Sequence, residues 1–160
     1  MTYQRFEDLP VWQKAETLFG QTDELLQRAP PRLRASFRDQ LERAVLSVSN
    51  NIAEGFERGT TKELLQFIYI ARGSAGEVRS MLCLLHRRPW AADLKSEISN
   101  LKSSAESCSR QLRAWADSLQ NSNICGPRHL TAASRRKYEQ AKKDDSPPSN
   151  LKSQISNLKS

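Results

Sequence analysis

The chain has 160 residues, 38% of them hydrophobic, and a formal net charge of +7. That length supports a core of its own, and no apolar run approaches the roughly 20 residues a membrane-spanning helix needs, so a membrane protein is not expected. Cys83, Cys108 and Cys125 are an odd number without metal-ligand spacing, and the opening MTYQRFEDLP has no basic region followed by an apolar one, so a reducing cytoplasm is the expected compartment.

The first helix is predicted to open at Asp8 or Leu9, with Pro10 in its first turn, where a missing N–H costs little. Val11, Trp12, Ala15, Leu18, Phe19, Leu25 and Leu26 form one apolar face, and Ala29, Pro30 and Pro31 end it. Trp12 lies on that continuous stripe and reads as core rather than as a stacking platform for a base.

A second helix is expected from Ser36, as cap, to about Phe56, with Asp39 bringing negative charge to its first turn. Phe37, Leu41, Ala44, Val45, Val48 and Ile52 give it one buried face. Arg34, Arg38 and Arg43 flank that face; solubility and ion pairs with Asp39 and Glu42 are their plain role, contact with an acidic partner their sharper one. Gly59 then breaks the helix. Thr60 can cap the next, and Glu63 can reach back to it in a capping box, which makes a tight helical hairpin.

In the third helix Leu64, Ile68, Ala71, Ala75, Val78, Leu82 and Leu85 alternate steps of four and three, a heptad seam. Gly73, Ser74, Ala75 and Gly76 put small residues at its middle, where each glycine costs on the order of 1 kcal/mol relative to alanine. Close approach of a neighbouring helix, in the bundle or in a second subunit, would offset that cost. Phe67, Ile70, Met81 and Leu84 form a second apolar strip, and a subunit interface is the simplest use for it.

Arg87, Arg88, Pro89 and Trp90 end this helix, and Asp93 can cap a fourth. There Leu94, Ile98, Leu101, Ala105, Cys108, Leu112, Trp115 and Leu119 make another seam. Four amphipathic helices with short connections specify an all-α fold, an antiparallel up-down-up-down four-helix bundle over 1–120.

Residues 121–160 read as a basic, low-complexity, disordered tail. Of the charged residues, 17 Lys or Arg and 15 Asp or Glu fall in 1–120, against 8 and 3 in the remainder, so most of the basic excess lies there. Arg135, Arg136, Lys137, Lys142 and Lys143 offer a phosphate-binding run without sequence preference; a solvated extension is the plainer reading. LKSEISNLKS at 94–103 returns as LKSQISNLKS at 151–160. The second copy stands alone after Pro147 and Pro148, and it reads as a translated DNA repeat without a required role, a coiled-coil contact being the alternative.

No catalytic constellation is written in the chain. Neither His86 nor His129 has the carboxylate three residues earlier that a di-iron bundle uses, so no metal is expected. Cys83 has no evident base within its helix, and Cys108 sits on an apolar seam as a small hydrophobe. Glu54 and Glu77 read as structural partners of Arg58 and of Arg72 or Arg79. Gly73 and Gly76 lie inside a helix without a following Lys-Ser or Lys-Thr, so they form no phosphate loop. A non-enzymatic protein without cofactors is expected.

Several fragments stand in an order that resembles a known family. Phe6, Asp8, Leu9, Val11 and Trp12 come first, then Gln40, Leu41, Arg43, Ala44 and Ser47. NIAEGFERG from Asn51 follows, then Lys62, Glu63, Phe67 and IARGSAGE from Ile70 to Glu77. Over roughly residues 3–86 the chain resembles the small bacterial four-helix-bundle proteins named for 23S ribosomal RNA intervening sequences. The resemblance implies a ring-shaped homopentamer and association with RNA. Arg43, Arg58, Lys62, Arg72 and Arg79 are the candidate nucleic-acid-binding residues. The alternative is an adaptor resembling the retroelement accessory bundle proteins that hold a reverse transcriptase.

Overall fold

A computed structural model of the chain describes residues 3–121 and Gln140. Apart from Asn121 and Gln140, the basic tail expected over 121–160, with the second copy of the repeat, Cys125 and His129, lies outside them. Helices α1 Pro10–Arg28, α2 Ala35–Glu57, α3 Thr61–His86 and α4 Lys95–Gln120 make up the described chain, with short 3-10 segments at Phe6–Asp8 and Pro89–Leu94.

Each helix runs antiparallel to the next, as the contacts between them require. Gln40 and Ser47 of α2 meet Glu77 and Ser74 of α3 in reversed order. Tyr69 and Arg79 of α3 meet Gln120 and Glu106 of α4, and Gln21 and Arg28 of α1 meet Ser104 and Glu97 of α4. The bundle is therefore up-down-up-down and closed through α1 and α4.

The apolar seams form the core in two halves. At the end holding the α1–α2 connection, Leu18, Leu25, Leu41, Val45, Val78, Leu82, Ile98 and Leu101 pack together; at the α2–α3 end, Ala15, Val48, Ile52, Leu64, Ile68, Cys108 and Leu112 do so. Every seam residue predicted for α3 is buried. Trp12 is half-buried against the second half of the core, its ring centroid 5.3 Å from that of Phe6.

The ends of the helices depart from expectation. Pro10 is the first residue of α1, as its fixed φ and missing N–H favour, so Asp8 and Leu9 stand before it. Ser36 does not cap α2: the helix starts at Ala35, Arg34 occupies the cap position without a side-chain hydrogen bond, and Asp39 falls beyond the first turn. Asp93 lies within the 3-10 segment, and α4 begins at Lys95 without a side-chain cap. By contrast Thr60 does cap α3, accepting the Glu63 N–H at 3.2 Å, while its own hydroxyl donates to Glu63 Oε2 at 2.7 Å.

Arg38 forms no ion pair with Asp39 or Glu42. Its guanidinium donates to the carbonyls of Leu26, Ala29, Pro30 and Leu33, at 2.7, 2.7, 3.2 and 3.3 Å. Leu26 lies in the last turn of α1 and the other three follow it in the connection to α2. The Leu26 and Pro30 carbonyls also accept the N–H groups of Ala29 and Leu33, and a five-donor fork is the side chain suited to gather all four.

Candidate nucleic-acid interface

The hairpin of α2 and α3 is set by two close approaches. A Cβ on Gly55 would stand 2.7 Å from Phe67 Cβ, so only glycine lets the helices meet at this height. Further along, hydrogen bonds run in one direction: Asn51 Nδ2 donates to Ser47 Oγ at 3.0 Å, the Ser47 and Ser74 hydroxyls are 2.9 Å apart, and Ser74 Oγ donates to the Ile70 carbonyl at 3.1 Å. Ser74 and Ala75 are thus small because α3 packs within its own bundle. Gly73 and Gly76 differ: a Cβ on either meets nothing within 4 Å.

This hairpin positions the candidate residues in separate places. Arg43, exposed on α2, donates to Gln40 Oε1 at 3.1 Å, and Gln40 in turn donates to Glu77 at 2.6 Å. Glu77 is therefore tied to α2, not to Arg72 or Arg79. Arg58 pairs with Glu54 and lays its guanidinium 4.9 Å from the centroid of the Phe67 ring. Lys62 is exposed in the first turn of α3.

Arg72 and Arg79, two turns apart on the α4 side of α3, make the one local pair. Arg72 is half-buried in a shallow groove with Tyr69, Gly73, Gly76 and Ser109. Arg79 Nη2 lies 3.8 Å from Glu106 Oε2, while Arg110 reaches the other oxygen of that carboxylate at 3.4 Å. Among the described residues, Arg43, Lys62 and Arg72 have no ion-pair partner, so theirs are the charges left for an outside anion. Arg43 and Arg58 follow α2 and Arg72 and Arg79 follow the α3–α4 edge; the five do not form one patch.

Between these two rows runs the outward face of α3. The second apolar strip expected there divides: Met81 is buried and Phe67 is half-buried beneath Arg58, whereas Ile70 and Leu84 are 51% and 49% exposed, beside Tyr69 at 42%. Two large aliphatic side chains and two open glycines on one exposed helix suit contact with another macromolecule.

None of the five nucleic-acid candidates lies at the opposite end of the bundle, where a cavity gathers Arg32, Arg34 and Arg88 beside Phe37 and Trp90; of these the sequence singled out Arg34 alone, for contact with an acidic partner. The available signal was two basic, proline-broken connectors, PPRLR and RRPW. Among the described residues no cluster of His, Cys, Asp or Glu could hold a metal ion, and no helix is long and apolar enough to cross a membrane.

Residues 7–114 match the family model described as 23S rRNA-intervening sequence protein, a span that touches all four helices. No curated protein matches the chain.

Proposed function

The chain belongs to the 23S rRNA-intervening sequence protein family, and from that premise we propose that it is a non-enzymatic, cytoplasmic, RNA-associated bundle acting as a homo-oligomer of five subunits. The family match carries the RNA assignment. Arg43, Lys62 and Arg72, none opposed by a carboxylate, are the groups best placed to meet phosphates, with Arg58 and Arg79 exchanging Glu54 and Glu106 for them. In this reading the exposed face of α3 joins subunits, and the arginine rows on either side of it repeat around the ring. A ring needs a heterologous interface, so the Ile70 and Leu84 patch meets a different surface of the next copy.

The test is RNA binding by anisotropy, with the full chain and with a form ending at residue 121. Affinity should survive the truncation and fall steeply as salt rises. Loss of all binding on truncation would move the contact to the tail, and cleavage of the RNA would overturn the non-enzymatic reading. The exposed Ile70 and Leu84 also favour a second reading, an adaptor that holds a reverse transcriptase. A form that light scattering finds monomeric at micromolar concentration would leave that strip to such a partner and refute the pentamer.

A further inference from the structure

The α1–α2 connection and the α3–α4 connection meet at one end of the bundle, away from the α2–α3 hairpin. A cavity there is walled by Phe37, Leu84 and Trp90, and the exposed Arg32, Arg34 and Arg88 line it too. Phe37 and Trp90 are half-buried: each packs against the core and also faces the cavity. Other arginines nearby are committed, Arg38 to the carbonyls at the end of α1 and Arg28 to Glu97 at 2.7 Å. Among the described residues Arg32, Arg34 and Arg88 have no carboxylate within ion-pair distance. The N-terminus of α2, which Arg34 precedes, has neither a side-chain cap nor an acid in its first turn, and adds its partial positive charge to theirs.

Three cations without a counter-charge, set around an apolar wall with two aromatic rings, define a ligand with two parts. An inorganic anion would leave the rings bare, and an apolar molecule would leave the guanidinium groups unmatched. We propose that this cavity binds a nucleotide unit, with the phosphate held by Arg32, Arg34 and Arg88 and the base stacked on Trp90 or Phe37. A free nucleotide and the end of a single strand share that chemistry. The site shares none of Arg43, Arg58, Lys62, Arg72 and Arg79 with the RNA reading of the helix faces; its one residue in common with the proposed subunit contact is Leu84, at the edge of both.

The test is quenching of tryptophan emission in the full chain by 5′-AMP, adenosine and inorganic phosphate, with Trp90→Leu identifying the reporter. 5′-AMP should quench saturably, and the quench should vanish in Trp90→Leu. Adenosine should bind more weakly by on the order of ten-fold, and Arg32→Ala with Arg88→Ala should weaken 5′-AMP by a similar factor while leaving adenosine unchanged. Far-UV circular dichroism checks the fold of each variant, with Arg32→Gln and Arg88→Gln replacing an alanine pair that unfolds. A 5′-phosphorylated octamer of adenylate that binds at least on the order of ten-fold tighter than 5′-AMP would make a strand the source, and equal or weaker binding a free nucleotide. No quenching by 5′-AMP, quenching that survives Trp90→Leu, an affinity indifferent to the arginines, or phosphate binding as tightly as 5′-AMP would each overturn the proposal.

Discussion

The hydroxyls of Ser47 and Ser74 stand 2.9 Å apart between α2 and α3, with Ser74 only 9% exposed. Ser74 therefore belongs to the interior of the subunit. Ser74→Arg would force a long cation between packed helices, and we expect loss of the folded state, not release of a neighbouring subunit. Ser74→Ala should cost less, about 1 to 3 kcal/mol, the net worth of its two hydrogen bonds to Ser47 and the Ile70 carbonyl. Urea unfolding compares them, and a folded Ser74→Arg protein would contradict the placement.

The glycines of the hairpin and of mid-α3 should respond with opposite signs. Gly55→Ala should destabilise by roughly 1 to 3 kcal/mol, because the added methyl meets Phe67 and the helices must part. Gly73→Ala and Gly76→Ala meet nothing within the subunit and should each stabilise it by about 1 kcal/mol through helix propensity. If another copy packs on that face, the same two substitutions weaken assembly. Thermal unfolding and light scattering on the same samples separate the effects; an alanine that lowers monomer stability at position 73 would show that the face is already covered.

Arg38→Ala removes the donor of four hydrogen bonds at the C-terminus of α1. The expected loss is about 2 to 4 kcal/mol, since the donor is charged and bonds all four carbonyls at once, although Leu26 and Pro30 keep the N–H groups of Ala29 and Leu33. Arg38→Lys should recover little of it, because an ammonium cannot reproduce the planar fork. Denaturant midpoints of the three proteins are the measurement. Full recovery by lysine would mean that charge, not geometry, joins the connection to the helix.

Burial pushes the Cys108 thiol up from 9.0 to about 11, with Lys14 acting weakly in the opposite sense. The folded protein then holds that proton more tightly than the unfolded chain, so the contribution to stability is complete below pH 9 and is lost as pH rises toward 11. Urea midpoints should fall across that window, and the fall should be shallower in Cys108→Ala. Native alkylation at pH 8 should label the half-buried Cys83 and spare Cys108. Rapid labelling of Cys108 would show that its half of the core opens.

The residues that sequence reading placed well act through neighbours three and four positions away. Leu64, Ile68 and the rest of the α3 seam are buried, and Thr60 caps α3, because helical period and capping are written within a few residues of chain. That periodicity, repeated in four segments with short connections, also determined the bundle.

Tertiary packing decided the rest. Phe67, Ile70, Met81 and Leu84 share a strip in sequence, yet α2 covers Phe67 while Ile70 and Leu84 stay exposed, and only the meeting of helices sets that difference. Glu77 shares a helix with Arg72 and Arg79 but stands neither three nor four positions from either, and it accepts from Gln40 of α2. Arg38 turned from a surface charge into the cap of another helix. Arg32, Arg34, Arg88 and Trp90 lie on two connectors more than fifty positions apart, and they share a cavity because antiparallel helices return the chain to the same end. Helical period fixes which residues lie on one face, but the identity of what that face meets depends on contacts between distant segments, which no local pattern encodes.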